Sequence, residues 1–148
     1  VLVVLDNSTT AMTGHQPHPG TGRTVMREIV QKINIEQVLR GIGVTEIETI
    51  NPLELEASVS CVKRMAEKSG VRAIIFKAPC IAVTKPKAPL HVDQDSCIGC
   101  KKCIRDLGCP AIVMNDGKIC IDASMCTGCH LCSQVCPVCA IAGGDDHE

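Results

Sequence analysis

The chain has 148 residues, a formal net charge of −1, twelve cysteines and one aromatic residue, Phe76. That length holds one domain or two small ones, the charge balance names no polyanionic partner, and the scarcity of aromatic rings removes base-stacking platforms for nucleic acid. The apolar runs are too short to span a bilayer and no signal peptide is visible, so neither membrane nor export is expected.

The first five residues, Val1 to Leu5, are a continuous apolar run, as in a strand buried on both faces of a parallel sheet. The chain begins inside that run and reads as a piece whose start lies upstream. At Asp6-Asn7 it enters a polar stretch rich in Thr, Gly and Pro that cannot be regular structure. A strand running into such a loop is where open α/β sheets bind ligands.

Thr24 to Ile33 is weakly helical. A clearer helix follows, with Asn34 as cap, Ile35, Val38, Leu39 and Ile42 on one face, and Gly43 as its stop. Val44 to Ile50 reads as a strand. Asn51-Pro52 with Glu54 is a helix start, and Leu55, Val59, Val62 and Ala66 recur at helical spacing until Gly70. Val71 to Phe76 is a further buried strand. The strand–helix alternation predicts an α/β, doubly wound parallel sheet over residues 1–83. Residues 84–90 (TKPKAPL) read as a linker, and 91–148 as a small α+β domain too small to hold much of a core.

That second domain carries most of the cysteines. Cys97, Cys100 and Cys103 recur as Cys126, Cys129 and Cys132, each 29 residues later. Each triplet is followed by Cys-Pro, at Cys109 and Cys136. This spacing is that of a ferredoxin-like domain with two [4Fe-4S] clusters, in which the Cys of each Cys-Pro serves the other cluster. Cys97, Cys100, Cys103 and Cys136 are thus expected on one cluster, and Cys126, Cys129, Cys132 and Cys109 on the other. The first loop has five residues between its third and fourth Cys where the second has three. Disulfides and structural zinc are the competing readings, but triplets of closely spaced cysteines suit neither. Cys61, Cys80, Cys120 and Cys139 fall outside the pattern and are expected as free buried thiols, Cys139 in a tight turn. Reduced thiols and oxygen-sensitive clusters place the chain in a cytoplasm, an anaerobic one. Short strands are expected at Ala111–Met114 and Lys118–Ile121.

The stretch LDNSTTAMTGHQPHPGTG (Leu5 to Gly22), joined to a two-cluster domain, resembles the C-terminal part of the α subunit of indolepyruvate ferredoxin oxidoreductases. These are thiamine-diphosphate-dependent 2-oxoacid:ferredoxin oxidoreductases. The resemblance implies that residues 1–83 are the C-terminal portion of a thiamine-diphosphate-binding domain. It implies that Asn7 offers its side-chain oxygen, and Thr9 its backbone carbonyl, to the Mg²⁺ that bridges the diphosphate, while Asp6 fixes the loop. The matching upstream Gly-Asp motif would precede Val1. His15 and His18 are candidates for substrate contact or proton transfer, set against loop histidines bonded to backbone. The implied reaction is oxidative decarboxylation of an aryl 2-oxoacid to its acyl-CoA, with electrons passing singly through both clusters to ferredoxin. The implied partners are a smaller β subunit, ferredoxin, CoA and the 2-oxoacid. A sister enzyme for pyruvate or branched-chain acids, or a non-catalytic electron-transfer module, are the alternatives.

Overall fold

The computed structural model describes residues 1–143, and its residues divide into two compact units, one ending at Thr84 and the other beginning at Lys85. The expected reach of the second domain to residue 148 lies outside the described residues.

The first unit is a three-stranded parallel sheet built from β1 (Leu2–Asp6), β2 (Glu46–Ile50) and β3 (Arg72–Lys77), in the order β1-β3-β2. β3 is central, with Leu2 beside Ala73 and Asp6 beside Lys77 on one side, and Glu46 beside Arg72 on the other. Two helices cross over the sheet, α1 (Ile35–Gly41) and α2 (Leu55–Glu67). The chain moves past β3 to reach β2 and then steps back, so right-handed crossovers require the helices on opposite faces. Alternation along β3 shows this. Ala73 and Ile75 pack with Leu39 and Val44 on the α1 side, while Ile74 packs with Cys61 and Met65 on the α2 side.

Local chemistry explains the helix starts, with one shift from expectation. Asn34 accepts the Gln37 N–H at 3.2 Å and caps α1. Asn51 does not cap α2; its side chain accepts from the Leu53 N–H, Glu54 N–H bonds to Asn51 O, and the helix begins at Leu55. The resulting phase turns Ser58, Cys61 and Met65 inward and leaves Val59 and Val62 exposed. Of the apolar residues that recur at helical spacing, Leu55 is half-buried while Val59, Val62 and Ala66 are exposed. Thr24 to Ile33 forms no helix: Thr24 and Glu28 close a turn with Arg27 in the left-handed region, and Arg23 bridges Ile29. β1 is not buried on both faces either. Among the described residues it pairs with β3 alone, and Leu5 is 76% exposed.

The second unit contains two short antiparallel pairs. β4 (Leu90–Val92) pairs with β7 (Ile141–Gly143), and β5 (Ile112–Asn115) pairs with β6 (Lys118–Ile121). Two short helices, α3 (Lys102–Leu107) and α4 (Leu131–Val135), start inside the two cysteine triplets. The TKPKAPL segment is not a free linker beyond Thr84. Lys87 N–H donates to Thr127 O at 3.2 Å and Leu90 is 3% exposed, so residues 87–90 are part of the second unit. The backbone N–H of Lys87 finds a loop carbonyl, and the apolar Leu90 leaves water; together these hold the segment down. Among the described residues no helix is long and apolar enough to cross a membrane.

Candidate cofactor sites

The cysteines of the second unit gather into two groups. Cys97, Cys100, Cys103 and Cys136 line one small cavity, together with Val92, Ile98 and Lys101. Cys109, Cys126, Cys129 and Cys132 line another of about 120 Å³, whose remaining walls include Leu107, Ile112, Ile121 and Leu131. Cys136 thus lies with the first triplet and Cys109 with the second. All twelve cysteines are free thiols.

The local backbone explains how three thiols from one loop reach a common point. In each triplet the residue after the second Cys, Lys101 or His130, stands in the left-handed region at φ near 60° and starts the helix carrying the third Cys. Gly99 and Gly128 are also left-handed, at φ +64° and +67°. Two successive departures from extended backbone fold the loop back on itself. Ahead of each triplet, Asp93 and Asp122 close a turn by accepting the Ser96 and Ser124 hydroxyls. These hydrogen bonds hold both carboxyls below the usual carboxylate range, the serine hydroxyl contributing most. Burial raises the Cys103 thiol and pushes Cys132 up to about 11, with neighbouring thiols of each group adding to the rise. A cluster suits such a site because its positive irons stabilise the thiolates that burial disfavours.

Four thiols around each of two cavities supply the ligand number of two multi-iron clusters.

Of the remaining cysteines only Cys61 is buried, at 0% exposure; Cys80 and Cys120 are half-buried. Cys139 is exposed at φ 51°, where it completes the turn after Cys136 by bonding its N–H to Cys136 O.

In the first unit the loop after β1 is held from several sides. Asp6 accepts the Ser8 N–H at 3.1 Å and lies 3.9 Å from the Lys77 ammonium. Beyond β3, Ala78 N–H bonds to Asp6 O and Cys80 N–H to Asn7 O. The Asn7 side-chain oxygen accepts the Thr9 N–H at 3.2 Å, and Asn7 itself is exposed while Thr9 is buried. That oxygen keeps a second lone pair, so it can serve a hard cation without breaking the turn. A cleft of about 370 Å³ opens at the C-terminal ends of the strands, lined by Asp6, Ser8, Lys32, Asn34, Thr49 and Lys77 among others. Asn7 and Thr9 are not among its lining residues. The polar donors and acceptors fit a magnesium diphosphate, although this chain supplies one candidate side-chain ligand to the metal.

The two histidines of the loop differ. His18 uses Nδ1 to accept the Gly20 N–H at 3.1 Å and caps a 3₁₀ turn over Pro19–Thr21. His15 is exposed and left-handed. The cleft residues Lys32, in the segment before α1, and Thr49, near the end of β2, carry no motif in the sequence and are brought together only by the fold.

Two family models match the chain. One describes the thiamine pyrophosphate enzyme C-terminal TPP-binding domain and covers residues 1–76; the other describes a 4Fe-4S dicluster domain and covers residues 89–137. The chain is 45% identical over 143 residues to the indolepyruvate oxidoreductase subunit IorA of Methanothermobacter thermautotrophicus, covering 95% of this chain and 23% of that protein. It is 38% identical to the same subunit of Archaeoglobus fulgidus over 147 residues, 95% of this chain and 24% of the relative. For Thermococcus kodakarensis the identity is 39% over 154 residues, covering 93% and 23% respectively. The chain therefore spans about a quarter of the length of these relatives. No solved structure matches it. The chain belongs to the thiamine pyrophosphate enzymes: it carries their C-terminal TPP-binding domain, followed by a 4Fe-4S dicluster domain.

Proposed function

We propose that this chain is the C-terminal part of a subunit that oxidatively decarboxylates aryl 2-oxoacids such as indolepyruvate. The product is the acyl-CoA, and the electrons leave through two [4Fe-4S] clusters to a ferredoxin. The observation that carries the proposal is the partition of eight cysteines into two groups of four, in the same chain as a thiamine-type strand-end loop. Thiamine diphosphate supplies, when bound, a nucleophilic carbon and an electron sink for decarboxylation. A group that yields electrons singly needs one-electron carriers in the same protein, and such clusters are that.

The residues act by holding and orienting. Cys97, Cys100, Cys103 and Cys136 hold one cluster, and Cys126, Cys129, Cys132 and Cys109 the other. Asn7 offers its side-chain oxygen, and Thr9 its carbonyl, to Mg²⁺. Asp6 keeps that loop in shape through Ser8 and Lys77. His18 shapes the neighbouring turn through Nδ1, which leaves His15 as the candidate of that loop for moving a proton. The name of the relatives, indolepyruvate oxidoreductase, supports indolepyruvate as substrate. A smaller partner subunit and a reducing cytoplasm complete the reading.

The test uses the complete gene product with its partner subunit, prepared without oxygen. CoA-dependent reduction of a low-potential dye is followed with indolepyruvate, phenylpyruvate and pyruvate. Preference for the aryl acids is the expected result. Turnover of pyruvate alone moves the protein to a sister activity, and no turnover with full clusters leaves an electron-transfer module.

A further inference from the structure

Helix α2 is tied to the sheet on one side. Arg64 pairs with Glu48 at 2.6 Å and Lys68 with Glu46 at 2.5 Å, so the helix leans over β2. Its inner residues Cys61 and Met65 cover Ile74 on β3. The flank turned away from these ion pairs carries Leu55, Val59, Val62 and Ala66, of which all but Leu55 are exposed. The sheet beside that flank is bare as well. Val4 packs toward α1, so strand alternation turns Val3 and Leu5 to the α2 side. There they stand in register with Ile74 and Phe76, yet Val3 is 51% exposed and Leu5 more so. Phe76, Val59, Val62, Lys63 and Ser58 line a groove of about 330 Å³. Leu5, Phe76, Val59 and Val62 thus make one continuous apolar face, and such faces mark interfaces.

A direct connection into β1 does not cover this face. Among the described residues β1 pairs with β3 alone. A parallel strand added at its other edge would lead into β1 by moving across the sheet in the same direction as β1 to β2. Right-handedness then puts the connecting helix on the α1 side. The α2 side needs a separate element. Helices of one layer pack about 8–10 Å apart, roughly two strand spacings, so a helix laid beside α2 sits over β1. Lys63 is the one charged residue among those lining the groove. Permanent interfaces have apolar centres depleted in charge, whereas transient ones are more polar.

We propose that this face seats an amphipathic helix from another domain of the same full-length subunit, its apolar stripe resting on Leu5, Phe76 and Val62. The chain covers 23% of the length of two of its relatives, so a subunit of their length has ample further polypeptide to supply that helix. A face with so little charge suits a partner that never leaves, which a domain of the same polypeptide is. From the function proposed above this uses only that the chain is part of a longer subunit.

The test is photo-cross-linking in the complete subunit with its partner, prepared without oxygen. p-Benzoylphenylalanine replaces Val62 in one protein and Val3 in a second, and Glu67, on another face of α2, is the control position. Circular dichroism and iron content matching the wild type show that each protein is folded, and the Val3 protein carries the test if the Val62 protein is not. Irradiation should bring loss of the unmodified peptide that holds position 62 or position 3. The subunit should keep its single-chain mass, with the new adduct joined to a peptide outside residues 1–148, and position 67 should show no loss. A doubled mass gives the face to a second copy, and a gain equal to the smaller subunit gives it to that subunit; either overturns the proposal. So do an adduct within residues 1–148, equal loss at position 67, or no loss at positions 62 and 3. None of these readings depends on turnover of a 2-oxoacid, so failure of the proposed activity is told apart from failure of this docking.

Discussion

Gly99 and Gly128 offer a controlled test of how the second unit is held together. They occupy matching places in the two triplets and have nearly the same left-handed backbone, at φ +64° and +67°. Replacing either with Ala imposes the same conformational cost, roughly 1–2 kcal/mol. Their surroundings differ. A Cβ on Gly99 meets nothing within 4 Å, whereas one on Gly128 would lie 2.7 Å from Ala88 O and 2.7 Å from Lys87 Cβ. A backbone carbonyl cannot step aside like a flexible side chain, so the 87–88 segment must move and strain its Lys87–Thr127 hydrogen bond. Overpacking of this kind adds about 1–3 kcal/mol. Gly128→Ala should therefore cost about 2 kcal/mol more than Gly99→Ala, roughly a 30-fold difference in a rate limited by opening. The assay is anaerobic loss of visible cluster absorbance in denaturant, for wild type and both variants. Equal loss rates for the two variants would refute the packing of residues 87–88 against the second triplet.

Cys136→Ala should strip iron from the site of Cys97, Cys100 and Cys103, and Cys109→Ala from the other; the wild type should hold about eight irons and eight acid-labile sulfides. Loss of the opposite cluster in either variant would contradict the crossed grouping. In the complete enzyme, Asn7→Ala should weaken binding of Mg²⁺ and thiamine diphosphate, read by calorimetry, while the cluster spectrum stays unchanged; unaltered affinity would remove Asn7 from the metal. The turn carboxyls Asp93 and Asp122 are held below their unfolded value near 3.9, so their contribution is present above that pH and is lost as pH falls through the lower folded value. Cluster loss should accelerate on acidification below about pH 4, less steeply in Asp93→Asn, which cannot titrate there; identical slopes would show that the turn does not contribute.

The cysteine positions were legible because their signal is local. Thiols with two residues between them on one loop have few arrangements open to them, and the helix-starting Lys101 and His130 simply complete the curl. The alternation of strands and helices was legible for a similar reason: Asn34 and its apolar partners define a helix from their own neighbourhood. The phase of α2 was not. The spacing of Leu55, Val59, Val62 and Ala66 is as helical as that of Ser58, Cys61 and Met65, and the small Ser58 and Cys61 are not conspicuous as core residues. Packing against Ile74 on the central strand decides which stripe turns inward.

β1 shows the same limit from the other side. Its unbroken apolar run states that a sheet is present, but its pairing with β3, some seventy residues on, rather than with β2, the next strand along the chain, is a long-range outcome. The character of the cysteine sites divides likewise. Eight thiols in a repeated spacing follow from the sequence by itself. That Val92, Ile119 and Ile141 wall one group, while Leu107, Ile112 and Ile121 wall the other, is decided only when distant segments fold over the loops. Ligand chemistry is written in short spacings, whereas the dielectric and the charges around a ligand come from residues that are far away in the chain.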